Sequence, residues 1–67
     1  MKITAYHGNY HKYETVFVKT NAEAEKVVNR LFNDRRIRWS GTILYKIDDS
    51  DFLTYSEARI LLGYSAW

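Results

Sequence analysis

Apolar positions along this chain follow two rhythms, one helical and one alternating. Between Asn21 and Asn33 they recur as Ala24, Val27, Val28, Leu31 and Phe32, while Glu23, Glu25, Lys26, Asn29 and Arg30 occupy the other side. Thr20 precedes that stripe and Glu23 follows three residues later, the Thr-x-x-Glu box in which each side chain satisfies the other's free backbone N–H. The pattern predicts a helix over 21–33. The two valines each lower helix propensity by a few tenths of a kcal/mol, against about 1.5–3 kcal/mol returned by burying each side chain, so packing decides.

Residues 1–19 predict a hairpin turning at Gly8-Asn9. A two-residue turn sets Ile3 opposite Glu14 and Ala5 opposite Lys12, which mixes charge into an apolar face. A three-residue loop, Gly8-Asn9-Tyr10, pairs Ile3 with Thr15, Ala5 with Tyr13 and Met1 with Phe17, and groups Lys2, Thr4, Tyr6, Lys12 and Glu14 on the other face. That loop is the expected one. Val16 and Val18 then fall on the second face, which implies partial cover at its far end.

After the helix, residues 35–47 contain Trp39-Ser40-Gly41-Thr42, compatible with a second tight hairpin or with a glycine bulge in one long strand. In the hairpin, Ile37 opposes Leu44 and Trp39 opposes Thr42 toward the helix, while Arg36 opposes Tyr45 and Arg38 opposes Ile43 on the outer face. Asp48-Asp49-Ser50-Asp51 ends the strand near the N-terminus of a last helix, which Thr54-x-x-Glu57 caps at its start and Gly63 at its end, with Ala58, Leu61 and Leu62 inward.

These elements predict a single small α+β domain spanning 1–67. Its two layers are one antiparallel-dominated sheet of three or four strands (hairpin, then second hairpin or bulged strand) and the helices that cover its apolar face, including the short C-terminal one. So short a chain hides only about 60% of its unfolded surface, and no cysteine is present to staple it. Six Tyr, three Phe and two Trp fill that need and leave some rings for the surface. No leader-like start and no membrane-length apolar run is visible, so a cytoplasmic location is expected.

Candidate chemistry is sparse. His7 and His11 flank the first turn, but zinc needs three or four ligands, and no cysteine or clear third ligand beyond Glu14 accompanies them. The Asp48–Asp51 run lacks the glycine and the distal glutamate of a calcium loop. No nucleophile elbow or glycine-rich phosphate motif occurs, so no cofactor, metal or catalytic triad is nominated and the chain is not expected to be an enzyme. His7, His11, Tyr13, Arg36 and Arg38 have the side-chain types of a small metal-independent ribonuclease, as found in toxins.

Net charge is +2, and Arg30, Arg35, Arg36 and Arg38 concentrate four arginines within nine positions. Arginine forks suit phosphate and carboxylate alike, and Trp39 or Tyr45 offers a stacking plane beside them. Cations closing a helix are equally explained by its negative end.

Phe52-Leu53-Thr54-Tyr55-Ser56-Glu57-Ala58-Arg59-Ile60-Leu61-Leu62-Gly63-Tyr64-Ser65 resembles the opening of the helix-turn-helix in excisionase and MerR-like DNA-binding proteins, where a first helix ends in Leu-Gly-x-Ser. The resemblance covers about a fifth of the chain and omits the recognition helix. It implies shared capping grammar and carries over no function.

The outer sheet face, with Tyr6, Lys12, Arg35, Arg36, Arg38 and Tyr45, is the expected contact surface. Its Tyr and Arg content favours a protein partner, as for a small inhibitor or adaptor of the kind phages and mobile elements make, a comparison resting on size alone. Nucleic acid bound through the Arg35–Trp39 cluster is the alternative, and the ribonuclease a second.

Overall fold

The computed structural model describes residues 1–8, 10–34 and 43–64. Strands β1 (Lys2–His7) and β2 (His11–Phe17) precede helix α1 (Asn21–Phe32), followed by β3 (Ile43–Ile47) and helix α2 (Tyr55–Leu61). The three strands form an antiparallel sheet in the order β2-β1-β3. This is the small α+β fold expected. The arginine-rich segment, with Arg35, Arg36, Arg38, Trp39 and the choice between hairpin and bulged strand, lies outside the described residues.

Both helix starts follow the cap logic. Thr20 Oγ1 accepts from the Glu23 N–H at 3.1 Å, but the Glu23 carboxylate reaches back to the Lys19 N–H at 3.3 Å instead of closing the box on Thr20. At α2 the box is complete, with Glu57 N–H donating to Thr54 Oγ1 at 3.2 Å and Thr54 N–H donating to Glu57 Oε1 at 2.9 Å. The end of α2 is a Schellman turn: Tyr64 N–H donates to Arg59 O and Gly63 N–H to Ile60 O, with Gly63 at φ +92.

The core lies between one sheet face and both helices. Ile3, Ala5, Tyr45 and Ile47 from the sheet meet Ala24, Val28 and Leu31 of α1 and Ala58 and Leu62 of α2. Leu61, expected inward, is 56% exposed. Ala58 and Leu62 lie four residues apart on one face, Tyr55 continues that stripe one turn earlier, and Leu53 and Tyr64 pack against the core from either side of the helix.

Two register expectations are corrected. The three-residue loop is present, with His7 opposite His11 and Tyr6 opposite Lys12, but the pairing shifts between Ala5 and Tyr6. Tyr13 is the extra residue, a β-bulge, so Ala5 faces Glu14, Ile3 faces Val16 and Lys2 faces Phe17. Beyond the bulge every β2 side chain changes sides. Val16 moves to the helix face and Phe17 is left 76% exposed.

On β3 the expected faces are inverted. Ala5 opposes Tyr45 and Ile3 opposes Ile47, so Ile43, Tyr45 and Ile47 point to the helices, while Leu44 joins Tyr6 on the other side. Three large apolar residues at period two outweigh the register that a Trp39 hairpin would impose. Asp48 also acts differently from expectation: with φ +54, its Oδ1 accepts from the Lys2 N–H at 2.9 Å, tying off the β1–β3 pair instead of serving α2.

Candidate functional site

The sheet face turned away from the helices is built by alternation. On β1 it carries Lys2, Thr4 and Tyr6; their partners are Phe17, Thr15 and Lys12 on β2, and Lys46 and Leu44 opposite Thr4 and Tyr6 on β3. Thr15 Oγ1 donates to Thr4 Oγ1 at 3.4 Å at its centre. None of these strand residues is acidic, and three are lysines. The bulge makes it so, because it carries Glu14 to the opposite side, where its carboxylate meets Arg30 of α1 at 2.7 Å.

Two loops add rings to this face. Leu53 exchanges both backbone hydrogen bonds with Tyr45, each at 2.7 Å. That bridge sends Leu53 into the core and its neighbour Phe52 outward. The Phe52 and Tyr6 rings make a T-shaped contact at a centroid distance of 4.9 Å, and Tyr10 packs on Phe52 at 4.8 Å. The Lys46 ammonium lies 4.6 Å from the same ring centroid. Such a cation–π contact holds the lysine beside the aromatic cluster while leaving its charge facing solvent.

Of the residues expected at the contact surface, Tyr6 and Lys12 stand opposite each other on this face. Tyr45 does not belong to it. It is fully buried, the largest such side chain among the described residues, and its hydroxyl donates to Val28 O at 3.4 Å. Burial, reinforced by the nearby Tyr55, pushes its phenol well above the ordinary value. Tyr10, Phe52 and Lys46 were not singled out from sequence, and Lys2 was placed on this face by the hairpin alternation without being named as a contact. Lys46, between Tyr45 and Ile47 in an alternating strand, carried a similar signal.

His7 and His11 come together across the turn, ring centroids 6.2 Å apart, with Tyr13 edge-on to His7 at 5.4 Å. This group lies on the helix side of the sheet, opposite the lysines, and Tyr13 Oη donates to Asp34 Oδ2 at 3.2 Å. Among the described residues no three His, Asp or Glu side chains converge as metal ligands, and no helix is long and apolar enough to cross a membrane.

A second polar constellation joins the helices. Glu25 accepts from Asn29 and from Arg59, Asn29 accepts from the Tyr55 hydroxyl, and Arg59 spans the Tyr55 and Tyr64 rings. Phe32 stacks on Tyr55 at 4.1 Å. Every polar member has a partner within the group, which makes it a clamp between α1 and α2. No protein-family model, curated protein or solved structure significantly matches the chain.

Proposed function

We propose that this chain is a non-enzymatic binding module whose open sheet face takes nucleic acid. The observation that carries this reading is the meeting of Lys12 and Lys46 with the Tyr6–Phe52–Tyr10 rings on a face whose strand residues include no carboxylate. Lysine is depleted at the centres of protein–protein interfaces, whereas lysines beside exposed rings match the phosphates and base planes of a polynucleotide.

Fluorescence anisotropy with labelled oligonucleotides at rising salt tests it. Phosphate contacts from Lys2, Lys12 and Lys46 predict a log–log slope of about −2 to −3. Absence of binding to any single- or double-stranded probe at low salt sinks the reading. The protein-partner reading keeps one support of its own: Ile60 and Leu61 on the outside of α2 are 60% and 56% exposed. It predicts nuclease-resistant capture of a protein that is lost in Ile60→Asp and kept in Lys12→Glu.

A further inference from the structure

Resting on that reading, we infer that the polynucleotide taken by the open face is single-stranded, with one base stacked on Tyr10. Two features point to this residue rather than to its neighbours, and a third points to a single strand. Tyr10 is 62% exposed, while Tyr6 is half-buried in a T-shaped contact with Phe52, and Phe52 has the Lys46 ammonium over its ring. Among the clustered rings, Tyr10 is thus the most exposed, although it too packs on Phe52.

The second feature is conformational. Tyr10 has φ +67, in the left-handed region that glycine and asparagine occupy at ease and bulky side chains rarely adopt. A three-residue hairpin loop needs a left-handed residue there, and glycine is its usual occupant. A large aromatic at that position works against the local backbone and projects a ring over the sheet face. Strain of this kind, held by surrounding structure, concentrates at functional sites.

The third feature is shape. The face is a sheet surface of three strands, and among the described residues no helix or ribbon stands out from it to enter a duplex groove. A duplex keeps its base planes stacked inside, so an exposed ring beside lysines gains nothing from it. An unpaired base meets the ring plane while Lys12 and Lys46 take the flanking phosphates.

The test uses the full chain and four probes of about ten nucleotides, a length within the usual site size of small single-strand binders. These are oligothymidylate, oligouridylate, a DNA duplex and an abasic deoxyribose-phosphate strand. Either thymidylate or uridylate is expected to bind more tightly than both duplex and abasic strand. Tyr10→Asn, which suits the left-handed backbone, should weaken that binding about 5- to 100-fold, the worth of one stacked base, without lowering the melting temperature. It should leave the abasic strand unaffected. Duplex or abasic binding equal to the single strand overturns the inference while nucleic-acid binding stands; silence from all four probes removes both. A Tyr10→Asn protein that melts earlier yet binds normally assigns the ring to hairpin packing and also overturns the inference.

Discussion

Glu14 stands 2.7 Å from Arg30 on the helix side of the sheet, although Lys12, two residues earlier, faces the other way. The bulge at Tyr13 separates two charges that simple alternation would set side by side. Returning a carboxylate to the open face should therefore mimic its loss: Thr15→Glu is expected to weaken oligonucleotide binding about fivefold, the effect of roughly 1 kcal/mol from one unit-charge contact in water. Glu14→Gln should leave affinity within a factor of two and cost at most about 1 kcal/mol in urea unfolding, because the ion pair is largely solvated.

Alkaline pH should act on the core through Tyr45. Its folded pKa is raised by burial and by Tyr55, so the stability tied to its proton is complete below the ordinary phenol value of 10.0 and is lost as pH climbs beyond it. The phenolate absorbance should contain a component that appears only with unfolding. Tyr45→Phe should remove that component and flatten the alkaline loss, while costing about 0.5–1.5 kcal/mol at neutral pH for the bond to Val28.

The α1–α2 clamp predicts non-additivity. Arg59→Met and Glu25→Gln each remove the same ion pair, so the double variant should be less destabilised than the two single losses combined. Tyr55→Phe, which keeps the stack on Phe32 and removes the bond to Asn29, should cost about 0.5–1.5 kcal/mol. Additive losses in denaturant titrations would show that these groups act independently.

Gly63→Ala isolates the backbone term at the end of α2. Nothing lies within 4 Å of the added Cβ, so the penalty of about 1–2 kcal/mol comes from φ +92 alone. Thr54→Ala at the other end should cost about 0.5–2 kcal/mol. Hydrogen exchange would place both effects in α2 before they reach β1.

Local rules carried much of the fold. The Ala24–Phe32 stripe placed α1, the Thr54 and Gly63 signals bounded α2, and Gly8-Asn9 marked the turn, although the Ile3–Thr15 and Ala5–Tyr13 pairings that favoured a three-residue loop are not the ones formed. What they did not reveal was long-range. A bulge has no signature in Tyr13 itself, since the extra residue is chosen by how Ala5 and Tyr6 meet β2 within the finished sheet. The Ile43-x-Tyr45-x-Ile47 alternation was visible, but it was subordinated to a hairpin pairing that assigned Tyr45 to solvent. Phe52 joins the site because Leu53 bridges to Tyr45, a pairing between a strand and a loop that no local pattern announces.

That Leu53–Tyr45 bridge makes the two sides of the sheet thermodynamic partners. One pair of backbone hydrogen bonds holds Leu53 in the core and Phe52 under Tyr10, so opening the strap to release α2 also dismantles the ring cluster. By reciprocity, a ligand that binds only the assembled cluster must raise the free energy of that opening. Saturating the open face should then slow amide exchange at Leu53 and along α2, on the far side of a layer the ligand never crosses.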